Sequence, residues 1–159
     1  MILRTKKQFF MSLPIKLSLV LLVSFLMACS VIEEKESTKL KHFVESKGFA
    51  YESFHSILLI TEYGCPQCNK SFASLMTQQQ ENPKMLYVVS ARGTFVDISG
   101  LFEFKNVLKD FQNEFKTLSL TNKSSCIFLD DKGEIDTLVE INAKGLESSL
   151  AYISNRLND

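Results

Sequence analysis

From about residue 38 onward, short continuous apolar runs alternate with segments whose apolar positions recur every third or fourth residue. Runs at 57–60 (ILLI) and 85–90 (MLYVVS) read as buried strands, because a strand covered on both faces needs no polar alternation. A third strand is expected at 125–130 and a fourth at 134–141, joined by the turn Asp130-Asp131-Lys132-Gly133, as in a hairpin. Helical spacing marks 38–47, with Leu40, Phe43 and Val44 on one face and Gly48 as its stop. It also marks the segment carrying Phe72, Leu75 and Met76, which Glu81-Asn82-Pro83 ends. Leu101, Phe104, Leu108, Phe111 and Phe115 predict an aromatic-faced amphipathic helix over 101–115, after a loop at 91–100 that holds Arg92-Gly93 and Asp97. That face either packs on the sheet or forms a substrate or partner groove. Leu146, Leu150, Ile153 and Leu157 predict a closing helix over 145–157. The strand–helix–strand unit at 57–90 implies parallel pairing with a right-handed crossover. The expected fold is α/β: a central mixed sheet of about four strands flanked by helices, in the order helix, β, α, β, α, β, β, α.

The chemistry lies where the first strand hands over to its helix. Gly64 makes the turn, Cys65-Pro66-Gln67-Cys68 follows, and Pro66 suits the first helical turn, where its missing N–H costs nothing. A thiolate there meets unpaired backbone N–H groups and the positive end of the helix dipole, which lower a thiol pKa. Cys65 is expected at the exposed lip as the attacking thiol. Cys68, one turn on, lies behind it as the resolving thiol, close enough to close a small disulfide ring. A structural disulfide and a metal site are the alternatives. A zinc site needs about four ligands, whereas the chain has no second CxxC, and neither His42 nor His55 lies in a ligand-type cluster. Both histidines read as solvated or partly packed.

This stretch resembles the active-site region of the thioredoxin superfamily, whose glutaredoxins and periplasmic disulfide oxidoreductases carry a CPxC form of the motif. The element order over 38–159 is similar as well. The resemblance implies a thioredoxin-like domain that exchanges protein disulfides through Cys65 and Cys68, tuned by Pro66 and Gln67, with no cofactor.

The N-terminal region changes the setting. Arg4, Lys6, Lys7 and Lys16 precede an eleven-residue apolar core at 17–27, too short to span a bilayer and of signal-peptide length. It ends Leu26-Met27-Ala28-Cys29, which resembles a bacterial lipobox. Residues 1–28 are thus expected as a lipoprotein signal peptide, with a plain signal peptide or an uncleaved anchor as alternatives. Cys29 is the expected lipidated residue, and 29–37 a polar tether to membrane lipid. Ser30, by resemblance to Gram-negative sorting, does not retain the protein at the inner membrane. The expected location is the cell envelope, on the periplasmic or outer-membrane side, where disulfides persist. Taking the four leader cations from 18 basic residues leaves 14 against 18 acidic ones, a mild acidity with nothing basic enough to suggest nucleic acid, so no nucleic-acid partner is expected. Expected partners are protein disulfide or dithiol clients and a membrane redox partner.

Two departures from the superfamily stand out, with Cys126 beside the first. Thioredoxin-like proteins place a cis-proline before the strand that opens the hairpin, in a loop beside the disulfide that binds client backbone. Counting back from Gly133 puts Ser125 there, and no proline occurs after Pro83; a non-proline cis bond costs about 2.5–4 kcal/mol, so Ser125 is expected trans. Cys126 follows. It is either a small apolar core residue, or an auxiliary that exchanges with the pair or completes a three-thiolate Cu(I) site. Leu59 stands where thioredoxins bury an acid behind the pair, leaving Glu62 as the candidate for proton transfer with Cys68 through water. The leading expectation is a membrane-anchored thiol–disulfide oxidoreductase. The alternatives are a redox-inactive binding module on the same scaffold and a Cu(I)-binding accessory protein.

Overall fold

The computed structural model describes residues 35–79, 82–92 and 97–158. The leader expected over 1–28, Cys29 and most of the expected tether lie outside the described residues. The elements are α1 (Glu36–Ser46), β1 (Ser56–Thr61), α2 (Pro66–Gln78), β2 (Met85–Ser90), β3 (Val107–Lys109), β4 (Ser125–Leu129), β5 (Ile135–Glu140) and α3 (Leu146–Leu157), with short 3-10 turns between several of them. Helix α1 begins two residues before the expected boundary at Thr38, inside the expected tether. Ser37 is buried and its Oγ accepts the Ile135 N–H at 3.0 Å, so the folded body already includes it.

The sheet has the order β3-β2-β1-β4-β5. β1 pairs with β2 in parallel, Ser56 opposite Met85 through Thr61 opposite Ser90, and β3 extends this parallel set on the far side of β2. β4 and β5 run antiparallel on the other side. Every residue of β1, β2 and β4 is buried, because helices and turns cover both faces. Alternate residues of β1 serve different layers. Leu58 and Ile60 join Phe72 and Met76 of α2 and Ile153 of α3. Ile57 and Leu59 join Leu40, Phe43 and Val44 of α1 with Phe115. Three helices therefore flank a five-strand mixed sheet, an α/β architecture compatible with a thioredoxin-like fold.

The helix expected over 101–115 does not form. Its place is taken by a 3-10 turn at Ser99–Glu103, strand β3, and a second 3-10 turn at Glu114–Leu118. Leu101 packs in the layer of α2, whereas Leu108 and Phe115 pack in the layer of α1, on opposite sides of the sheet. One helix face cannot serve both. β2 is buried, and its outer edge needs partners for its backbone. Tyr87 N–H donates to Asn106 O at 2.8 Å, and Asp110 N–H to Val89 O at 2.9 Å. Asp110 then ends the strand: its carboxylate accepts from Glu114 N at 2.8 Å, Phe115 N at 2.9 Å and Ser90 Oγ at 2.7 Å. Such local side-chain acceptors compete with helical hydrogen bonding. Asn113, at φ 57°, is left-handed and breaks any helical run there.

The hairpin turn forms as expected. Asp130 Oδ1 accepts from Lys132 N and Glu134 N at 2.9 Å each. Gly133 sits at φ 75°, and a Cβ there would come within 3.2 Å of the Tyr51 ring, whose hydroxyl donates to Gly133 O at 2.8 Å. Among the described residues, no helix is long and apolar enough to cross a membrane.

Candidate active site: a disulfide at the N-terminus of the second helix

β1 delivers the chain to the sheet end where parallel strands of an open α/β sheet leave their loops. Residues 62–64 turn it, with Gly64 at φ 96°, a conformation that side chains rarely adopt. Cys65 is extended (φ −84°, ψ 114°) and is the N-cap of α2, with Pro66 at the first helical position. Its Sγ accepts the Cys68 N–H at 3.2 Å, so the sulfur takes the place usually held by a capping oxygen. Cys65 and Cys68 are joined as a disulfide across a Cα–Cα distance of 5.1 Å. Cys65 is partly exposed, whereas Cys68 is 1 % exposed and packs with Phe72 and Ala73. Pro66 and Gln67 are both exposed. The first turn of α2 contains no acidic side chain to offset its dipole. The arrangement thus offers one partly exposed cysteine in a positive backbone field and one sheltered behind it.

Sequence reasoning missed Asn69. It is 2 % exposed, on the buried face of α2. Its Nδ2 donates to Thr61 O at 2.8 Å and Tyr63 O at 3.3 Å, fastening the loop before Cys65 to the helix after it. A polar residue within the apolar stripe was the available signal, since a buried amide must find partners. Thr61 Oγ1 also accepts the Tyr63 N–H at 3.2 Å. Tyr63 itself is 47 % exposed beside the disulfide, with Lys116 Nζ 5.1 Å from its ring centroid.

The loop entering β4 is closed. Ser124 and Ser125 are fully buried. Ser124 O accepts the Ile141 N–H at 2.8 Å, and Ser124 Oγ accepts the Thr61 N–H at 3.0 Å. No cis peptide occurs among the described residues, so Ser125 is trans as expected. Its Oγ is buried without a hydrogen-bond partner, in a position opposite Leu59 on β1 and Glu140 on β5. Thr121 Oγ1 and Lys123 Nζ reach Glu140 at 2.8 and 2.7 Å and hold this side shut.

Cys126 is fully buried in the same apolar cluster as Cys68, between Leu58 and Val139 of the neighbouring strands. Burial pushes its thiol far above the ordinary range, which makes it a poor attacking group. Among the described residues, no three His, Cys, Asp or Glu side chains group to hold a metal ion. Cys126 is held in the core as a free thiol, while Cys65 and Cys68 are bonded to each other. Leu59 packs in the α1 layer, whereas Cys68 packs in the α2 layer. Glu62 accepts the Arg92 N–H at 2.8 Å, a bond to the end of β2. His42 and His55 are exposed.

Of the aromatic face expected to pack or to form a groove, Phe104 stacks edge-on against Tyr87 at 5.0 Å, while Phe111 stays 40 % exposed against Phe102 at 5.9 Å. Comparison with protein-family models, with curated proteins and with solved structures finds no match for this chain.

Proposed function

We propose that this chain is a thiol–disulfide oxidoreductase of the thioredoxin type, held at the cell envelope by lipid on Cys29. In the reduced protein, the Cys65 thiolate attacks one sulfur of a client disulfide. A Cys65–client disulfide forms, and the other client sulfur leaves as a thiolate and takes a proton. Cys68 then loses its proton and attacks Cys65 Sγ. The Cys65–Cys68 bond forms, the second client thiol is released, and two electrons have passed from protein to client. The oxidised protein runs the same steps backward on a client dithiol. Neither direction needs a cofactor, and a membrane redox partner resets the pair.

The observation that carries this reading is the asymmetry of the two sulfurs: Cys65 is partly exposed and caps α2, and Cys68 is sealed one turn behind it. A redox-inactive binding module is the second reading, favoured by the burial of Ser124 and Ser125, which closes the loop where thioredoxin-like proteins hold client backbone. Insulin reduction with dithiothreitol separates the two. The oxidoreductase accelerates it and Cys65→Ser does not, whereas a binding module is inert and its disulfide resists millimolar reductant. For the anchor, the full chain is expected in the membrane fraction and Cys29→Ala in the soluble one; equal partition of both would remove the lipid from the account.

A further inference from the structure

We propose that Asn69 is a positioning residue: it keeps the Cys65 sulfur over the N-terminus of α2 once the disulfide has opened, and thereby favours the reduced pair. The inference rests on the thiol–disulfide reading above. In the oxidised protein the covalent bond itself holds Cys65 against the helix. After reduction that bond is gone, and the loop must be held by other means. Asn69 supplies them twice. Its backbone N–H donates to Cys65 O at 3.0 Å, an ordinary helical bond. Its side chain spends both donor hydrogens on the carbonyls that flank Glu62, Thr61 O at 2.8 Å and Tyr63 O at 3.3 Å. Thr61 closes the ring by accepting the Tyr63 N–H at 3.2 Å. Between this clamp and Cys65 only Gly64 intervenes, and its φ of 96° marks it as the one loose joint.

Asn69 is 2 % exposed and its bond to Thr61 O is buried, so water does not compete for that carbonyl; the bond to Tyr63 O is partly buried. It needs an amide. An aspartate of the same shape would aim carboxylate oxygens at two carbonyl oxygens. A group that holds the reduced form but is redundant in the oxidised one shifts the equilibrium between them, as stabilisation of the reduced form does in strongly oxidising relatives of this chemistry.

The test is the equilibrium of the pair with glutathione, together with the thiolate titration of Cys65, in the wild type, Asn69→Ala, Asn69→Asp and Thr61→Val. Loss of the clamp is expected to lower the equilibrium constant for reduction about tenfold in Asn69→Ala, equivalent to about 30 mV toward a more reducing potential. Asn69→Asp is expected to shift further and Thr61→Val less, with the Cys65 titration moving upward in each. Thr77→Ala, which removes a hydroxyl bond to Ala73 O further along α2, is the control and leaves the equilibrium unchanged. A merely structural Asn69 would lower the melting temperature of the oxidised and reduced forms alike and leave their ratio within twofold; that result, in the folded variants, overturns the inference. Should Asn69→Asp fail to fold, Asn69→Ala and Thr61→Val still decide. A wild-type pair that never equilibrates with glutathione would refute the thiol–disulfide reading, and the clamp with it.

Discussion

Two loops meet at the same end of the sheet and differ in almost every respect that matters for chemistry. The loop leaving β1 presents a partly exposed cysteine at a helix N-terminus, with an exposed Tyr63 two residues before it. The loop entering β4 is sealed. Ser124, Ser125 and Cys126 have no exposed surface, and the Ser124 carbonyl is already paired with Ile141. Of two cysteine sites in one apolar cluster, one is partly exposed at a helix N-terminus and the other is packed in the core. Burial rather than residue type divides them, because exchange requires a thiolate that a partner sulfur can reach. Under the proposed function, a client would approach by the α2 lip.

The largest effect that tests this contrast comes from the cysteines themselves. Cys65→Ser is expected to abolish insulin reduction, and Cys68→Ser to accumulate a trapped mixed disulfide with client. Cys126→Ala is expected to keep activity within about twofold while lowering stability slightly. Loss of activity in Cys126→Ala with an unchanged melting temperature would erase the distinction between the two loops.

Next in size is Asp110→Ala, which strips partners from the buried Phe115 N–H and Ser90 Oγ and from the partly buried Glu114 N–H. At about 1–3 kcal/mol for each buried group left unsatisfied, chemical denaturation should show a loss of several kcal/mol. A loss under about 0.5 kcal/mol would mean that Asp110 does not organise the turn after β3.

A gain is expected on the sealed side. Ser125 Oγ is buried with no partner, so Ser125→Ala removes an uncompensated polar atom and should stabilise the protein by about 1 kcal/mol without changing exchange activity. Destabilisation by that amount, or a fall in activity, would show that the hydroxyl is used.

The smallest effect concerns pH. The hydrogen bond from Lys123, with that from Thr121, holds the Glu140 carboxyl below its usual range. A depressed folded pKa contributes stability that is present above the unfolded value, about 4.3, and is lost as pH falls through the folded one. The side chain keeps about a third of its surface, so solvent screening limits this to a few tenths of a kcal/mol. Glu140→Gln should flatten the acid limb of the stability profile by that much, and an unchanged limb would count against the Glu140 latch.

The same two regions show what a sequence can disclose. Around Cys65 every local cue agrees: an unbroken apolar run at 57–60, a glycine that adopts φ 96°, a proline at the first helical position, and apolar spacing behind it. Strand, turn and helix were legible because each depends on neighbours along the chain. Residues 101–115 carry equally regular spacing, yet Leu101 and Leu108 belong to opposite layers, and β3 is too short for a period to register. Its existence follows from β2 needing a partner, which is a tertiary fact. Asn69 could be flagged as a polar residue in an apolar stripe, but its partners could not be read, since they are carbonyls eight and six residues earlier that only the folded turn brings within reach. Serine at position 125 could be read as a departure from the superfamily, but the closure of its loop through Ile141 and Thr61 could not.

The most direct measurement is a titration of Cys65 in the reduced full chain, following thiolate absorbance, with Cys68→Ser to isolate the single sulfur. A site that works by disulfide exchange should give a midpoint well below the value of a free thiol, about 8.5. A midpoint at or above that value would mean that the end of α2 does not activate its sulfur, and the proposed chemistry would lose its physical basis.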